Sequence, residues 1–280
     1  MNFKDVQLIL NQLDFKPKKH LGQNFLTNTN ILEKIINLSE ISREDIILEV
    51  GPGIGALTES LIEKAKKVYG VEIDPILSKY LSEKFSIYNN IEIINDDILK
   101  VDIPSHNKAI SNVPYKITGP ILEKVFFKKN PPQGILTIEK SIADRVFLSE
   151  NYKRFSRISI GLNSFMEPVV KYSIPRNSFY PIPKIDLTLI KIVPKESLNP
   201  ILLKEESVQL FLKFIAGIMP YKNKNIVNAL YFYFKANNDP YHTKVKILEI
   251  LRENNYENKK LFNFNIEEFI ELSKIFLFLN

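Results

Sequence analysis

The chain has 280 residues, 45% of them hydrophobic and 25% charged, enough for a full-sized core and a small second domain. It has no cysteine, which excludes disulfides, thiolate zinc sites and cysteine nucleophiles, and its three histidines, His20, His106 and His242, share no ligand spacing, which gives metal catalysis no support. The net charge of +6 suits a polyanionic partner, although lysine outnumbers arginine and Ile and Asn abound, as a compositionally biased genome would also produce. The start, M-N-F-K-D-V, lacks the charged head and apolar run of a signal peptide. No run approaches roughly eighteen apolar residues, so a cytoplasmic protein with no membrane span is expected.

From residue 46 to 192 short β-branched runs alternate with amphipathic stretches. Residues 46–50, 68–73, 91–95, 109–112 and 135–139 read as buried strands, apolar nearly throughout. Residues 57–66, 76–85 and 120–127 have helical spacing. Strands alternating with helices predict a parallel sheet covered on both faces. Residues 169–174 and 187–193 flank a proline-rich connection, 175–184, and are expected to run antiparallel at one sheet edge. A parallel sheet closed in this way is the outline of a class I, Rossmann-like methyltransferase. After a linker over 194–206 the pattern turns helical, at 208–218, 225–235, 244–252 and 266–276, with Asn/Lys-rich loops at 221–225 and 253–260. The expected organisation is an α/β domain over 1–196, including an N-terminal segment 16–30, and a small all-helical domain over 197–280.

The sharpest local signal is I-L-E-V-G-P-G-I-G-A at 47–56, a strand, a glycine turn and a helix opening near Ala56. Glycines there let the backbone approach a ligand at the carboxyl end of the first strand. The same run satisfies the G-x-G-x-x-G/A fingerprint of NAD enzymes, with Glu72 placed as the ribose acid, and it is also compatible with a tight turn that holds no ligand. Glu49, ahead of the first glycine, favours S-adenosylmethionine, whose methionine end carries an ammonium. The next strands also end in acids: Glu72 in V-E-I-D is placed to accept ribose hydroxyls, and Asp97 in I-N-D-D-I to accept the adenine amine. Either could instead cap a helix, a role for which Asp74 before Pro75 is a good candidate. Three acids at the ends of consecutive strands describe an adenosine crevice.

S-N-V-P-Y, at 111–115, ends the fourth strand and points to the reaction. The lone pair of an adenine amino group is delocalised into the ring. Two acceptors aimed at its hydrogens, the Asn112 side-chain oxygen and the Pro114 carbonyl, would turn that lone pair toward a methyl donor, while Tyr115 stacks on the base. Positioning and electrostatics would then carry the rate, without a strong general base. The plain alternative is a strand exit followed by a core aromatic.

The chain resembles the KsgA family of bacterial small-subunit rRNA adenine dimethyltransferases, within the wider rRNA adenine N6-methyltransferases. The resemblance rests on K-K-H-L-G-Q-N-F-L (18–26), E-V-G-P-G-I-G-A-L-T (49–58), V-E-I-D (71–74), S-N-V-P-Y (111–115) and F-Y-P-I-P-K-I-D (179–186). It implies that Asn24 and Leu26 cover the cofactor and that Gly51, Glu72, Asp97 and Asn112 line its site. With the local reading, the expected cofactor set is Asn24, Leu26, Glu49, Gly51, Gly53, Glu72, Ile73, Asp97, Ile98 and Asn112, and the catalytic set is Asn112, Pro114, Tyr115 and Phe179. Phe179 would oppose Tyr115 so that an extruded base is held between two rings. The resemblance further implies that two methyl groups go to each of two adjacent adenines near the 3′ end of small-subunit rRNA, in an immature particle and by a monomer.

Lys18, Lys19, Arg145, Arg154, Arg157, Lys184, Lys222 and Lys224 are the nominated RNA contacts. The chain departs from the family at Val113, where leucine is usual, and at 219–224, where M-P-Y-K-N-K replaces an arginine-rich run and leaves lysine, which lacks the planar fork for phosphate. Competing readings are a resistance-type methylase of large-subunit rRNA, an RNA-binding assembly factor without turnover, and an NAD oxidoreductase.

Overall fold

Strand β2 (Ile46–Val50) forms because five successive residues are apolar or buried, and it sits in the middle of a sheet shielded on both faces. The computed structural model describes residues 1–148 and 156–277. The sheet also contains β3 (Lys67–Val71), β4 (Ile91–Ile94), β5 (Lys108–Asn112), β6 (Gln133–Glu139), β7 (Met166–Ile174) and β9 (Leu187–Pro194). Its order is β4-β3-β2-β5-β6-β9-β7. The first five strands are mutually parallel, and β9 runs antiparallel to both β6 and β7. The antiparallel strand therefore lies one place in from the edge, and the edge itself is β7. Pro168 suits that edge, where its missing N–H leaves no central ladder bond unmade, and the pairing slips there between Pro168 and Val170.

Two compact units are present. The first comprises Met1–Phe126, Asn130–Ala143 and Met166–Pro194; the second comprises Phe127–Lys129, Asp144–Phe165 and Lys195–Asn280. The second unit thus takes two pieces, 127–129 and 144–165, from within the region expected to form the α/β domain.

In the first unit the N-terminal segment carries more structure than its sequence announced. Helix α1 (Phe3–Gln12) is closed by a capping box between Asn2 and Asp5. It buries Val6 and Leu10 in a small cluster with Phe15, Phe25, Ile54 and Leu77. A two-residue strand, β1 (Phe25–Leu26), then pairs antiparallel with β8 (Phe179–Tyr180), matching Phe25 with Tyr180 and Leu26 with Phe179. Helix α2 (Thr29–Ser39) follows, and helices α3 (Thr58–Lys64), α4 (Pro75–Lys84) and α5 (Thr118–Phe126) complete the crossovers between strands.

The second unit contains α7 (Arg157–Phe165), α8 (Glu205–Ile218), α9 (Ile226–Ala236), α10 (Lys244–Glu253) and α11 (Ile266–Leu277), with α6 (Lys140–Val146) at the junction of the two segments in sequence. Gly217 of α8 is needed for close approach to α9: a Cβ there would stand 2.6 Å from the Tyr233 ring. The expected linker includes a turn of 3-10 helix, Pro200–Leu203, that buries Leu202. No described helix is long and apolar enough to cross a membrane.

Candidate active site

The carboxyl ends of β2, β3 and β5 open onto one cleft of about 910 Å³ that is continuous with solvent. Its floor is the glycine turn. Gly51 and Gly53 have φ of +67° and +63°, a region that disfavours other residues. A Cβ on Gly53 would press within 3.0 Å of the Phe25 ring. The expected helix start near Ala56 moves to Thr58, because the turn continues through Leu57.

All ten residues expected to hold the cofactor line this pocket: Asn24, Leu26, Glu49, Gly51, Gly53, Glu72, Ile73, Asp97, Ile98 and Asn112. Glu72 is 4% exposed, and its two oxygens accept the N–H groups of Asp74 (3.0 Å) and Gly53 (2.9 Å). Burial raises its carboxyl above the usual range, and those N–H groups offset only part of the effect. Glu49, at the end of β2, is 2% exposed and accepts the Thr58 hydroxyl at 2.7 Å. Burial pushes it up to about 8, opposed in part by Thr58 and reinforced by the nearby Glu72 charge. Among the described residues neither glutamate has a salt-bridge partner. Asp97 is half-buried and uses Oδ1 to accept the Leu99 N–H at 2.9 Å.

These features fit S-adenosylmethionine. Glu49 is a buried acid that lacks a cation, which the ligand's ammonium would supply. Glu72 retains lone pairs for ribose hydroxyls, and exposed Ile73 with buried Ile98 offers apolar surface to a base.

Asn112 ends β5, and Pro114 follows it on the pocket wall. The Asn112 amide is oriented from outside the strand: its Nδ2 donates to the Asn24 carbonyl at 2.9 Å, which leaves Oδ1 as the accepting end. Tyr115 donates its hydroxyl to that Oδ1 at 3.3 Å. Burial pushes the Tyr115 phenol up, only partly opposed by Asn112, so it is a donor throughout the physiological range. The Pro114 carbonyl accepts the Ile117 N–H at 3.2 Å. Both expected acceptors thus hold internal donors that an incoming amine must displace or share.

Tyr115 and Phe179 do not line the pocket. They are 8% and 2% exposed and lie in the same apolar cluster as Leu26, Ile174 and Leu187. The β1–β8 pairing ties Phe179 into that cluster, so its ring is core-packed rather than open to a base.

Of the nominated cations, Lys19, Lys184 and Lys224 are exposed, and Arg145, Arg157 and Lys222 are half-buried. Lys18, expected at phosphate, is instead engaged by the buried carboxylate of Asp74 at 2.7 Å. Arg154 lies outside the described residues. The departure at 219–224 forms a 3-10 turn, Met219–Tyr221, whose Tyr221 ring stacks on Phe232.

Two residues not expected at the site belong to its surroundings. Asp74 caps α4 through the Ile76 N–H, the role its position before Pro75 suggested, and it also collects Lys18 and Gln23 from the N-terminal segment. Gln23 lies inside the K-K-H-L-G-Q-N-F-L run, but its partner is 51 positions away.

The description "Ribosomal RNA adenine dimethylase" belongs to the family whose pattern matches residues 14–271. The ribosomal RNA small subunit methyltransferase A of Alkaliphilus oremlandii is 34% identical over 281 residues, covering 95% of this chain and 94% of that protein. Its namesake in Fusobacterium nucleatum is 36% identical over 271 residues, covering 94% and 99%. The crystal structure of a dimethyladenosine transferase from Plasmodium falciparum matches with a TM-score of 0.73 at 27% identity, covering 89% of this chain and 95% of that one. The 23S rRNA methyltransferase ErmE shares the fold, with a TM-score of 0.63 at 23% identity over 90% of this chain and 98% of that one. Family pattern and relatives run nearly the full length, and on that basis the chain belongs to the ribosomal RNA adenine dimethylase family.

Proposed function

We propose that this protein dimethylates N6 of two adjacent adenines near the 3′ end of small-subunit rRNA, acting as a cytoplasmic monomer on an immature small ribosomal particle. The observation that carries this reading is the placement of the Asn112 amide and Pro114 carbonyl on the wall of a pocket lined by Glu49, Glu72 and Asp97. S-adenosylmethionine, when bound, supplies a methyl group on a sulfonium, which is already an excellent leaving group.

The remaining work falls to the chain's own groups. Glu49 pairs with the ammonium of the methionine end, Glu72 accepts the ribose hydroxyls, and Asp97 accepts the adenine N6–H. Asn112 Oδ1 and the Pro114 carbonyl accept the two hydrogens of the target N6, which turns its lone pair out of ring conjugation. The proton lost after transfer goes to water. Donors to fixed acceptors of this kind are worth about 10²–10³ in rate. Stacking of the target base by Tyr115 and Phe179 requires their cluster to part, at an energetic cost offset by roughly 1–3 kcal/mol per stacked base. Lys19, Lys184, Lys222, Lys224, Arg145 and Arg157 neutralise phosphates and position the RNA without reading its sequence.

The test is transfer of labelled methyl from S-adenosylmethionine to small ribosomal subunits from cells lacking the modification, with large subunits in parallel. Dimethyladenosine at two adjacent positions near the small-subunit 3′ end is expected. Label confined to the large subunit would replace the substrate, and no label in either, with the cofactor still bound, would favour an assembly role.

A further inference from the structure

The segment from Lys18 to Leu26 lines the pocket from Leu21 onward and is fastened at three points. At the cofactor side, Lys18 Nζ reaches Asp74 Oδ2 at 2.7 Å and Gln23 Nε2 donates to the same oxygen at 3.1 Å. Gln23 Oε1 accepts the Lys18 N–H at 2.7 Å, which closes the loop on itself. At the base side, the Asn24 carbonyl accepts from Asn112 Nδ2, and Gly22 passes so near that a Cβ there would lie 3.6 Å from the Tyr115 backbone nitrogen. At the far end, β1 pairs with β8.

Asp74 is the hub of this arrangement. It is 1% exposed, and its own N–H donates to Glu72 Oε1 at 3.0 Å. Glu72 in turn accepts from Gly53 in the glycine turn. One chain of contacts therefore runs from Lys18 through Asp74 and Glu72 to the pocket floor, and the same segment continues to Asn112. Lys18 also balances a second buried acid beside Glu72. Without that cation, Asp74 would either repel charge on Glu72 or take up a proton and release the loop.

We propose that Lys18 and Gln23 are positioning residues of the cofactor site, forming with Asp74 a clasp that closes the nucleoside pocket and holds Asn112 ready for the base. This rests on the pocket being an S-adenosylmethionine site, and it assigns Lys18 to the cofactor rather than to RNA phosphate. Closure and acceptor orientation are one event, because residues 18–24 make both.

The test is calorimetric binding of S-adenosylhomocysteine to the full-length protein, alongside affinity for a small-subunit rRNA 3′ fragment and its dependence on salt. Lys18→Met keeps the aliphatic stem and removes the charge. It should weaken S-adenosylhomocysteine roughly tenfold and raise the KM for S-adenosylmethionine similarly, because a charge-assisted bond to a buried group is lost. RNA affinity and its salt slope should stay at the wild-type values. Lys18→Arg should restore cofactor affinity. Asp74→Asn keeps an oxygen for the α4 cap, so it should reproduce the Lys18→Met defect with little change in melting temperature. Normal S-adenosylhomocysteine binding by Lys18→Met, with weaker RNA binding and a shallower salt slope, would make Lys18 a phosphate contact and overturn the clasp. Failure of the wild-type protein to bind S-adenosylhomocysteine would overturn the pocket assignment and the clasp together.

Discussion

The two ends of strand β2 bury acids in opposite ways. At its start, Asp45 is 5% exposed and meets the buried Lys108 ammonium at 2.9 Å. Lys108 also donates to the carbonyls of Ser39 and Glu40, the last turn and cap of α2, at 2.8 and 2.7 Å. Burial alone would raise Asp45, yet the Ser42 N–H, Lys108 and Asn107 hold its carboxyl below the usual range. Four residues later Glu49 is equally buried, but the side chain bonded to it is a neutral hydroxyl and its carboxyl rises to about 8. The difference shows which end is finished. The Asp45 end is complete within the protein, whereas the Glu49 end has an unmet demand for positive charge, which is the property of a binding site.

The strongest attempt to break this contrast is made at the open end. Asn112→Ala should lower kcat by about 10²–10³ at saturating S-adenosylmethionine while RNA still binds, measured by methyl transfer and calorimetry. Full activity would remove the acceptor role. At the closed end, Lys108→Met strands the Asp45 charge and should cost about 3 kcal/mol in denaturant unfolding, while cofactor affinity of the folded protein stays unchanged. A loss of affinity there would mean that the two ends are not separable. The smallest effect is expected for Tyr115→Phe. It removes a 3.3 Å hydrogen bond to Asn112 and keeps the ring, so kcat should change by no more than about threefold.

The sheet was legible because its strands are apolar runs ended by glycine or acids, and all ten expected cofactor residues do line one pocket. What escaped the sequence has physical reasons. Helices α1 and α2 are short and mix Asn and Lys into their faces, and β1 has only two residues, too few for any periodicity. The Lys18–Asp74 pair joins a basic run to a strand-end acid through the fold alone, so local charge pattern made Lys18 look like a phosphate contact. Phe179 reads as a ring opposing Tyr115 across a base or as a core aromatic, and its pairing with Leu26 draws it into the core.

Glu49 offers the most direct test of the contrast. A carboxyl near 8 is mostly protonated at pH 7, and a cation placed beside it lowers its pKa, so the proton must leave on binding. Because the folded value lies above the unfolded one, this group's contribution to the stability of the free protein is present at low pH and lost as pH rises through about 8. Binding of S-adenosylhomocysteine should accordingly tighten by up to about tenfold per pH unit below 8 and level off above it. The decisive measurement is calorimetry of that binding at pH 7 in buffers of different ionisation enthalpy, for the wild type and for Glu49→Gln. Release of nearly one proton by the wild type and of none by Glu49→Gln is the predicted result. Tight binding by the wild type with no proton released would contradict the assignment of Glu49 to the ligand's ammonium, and with it the reading of this end of the strand as the open one.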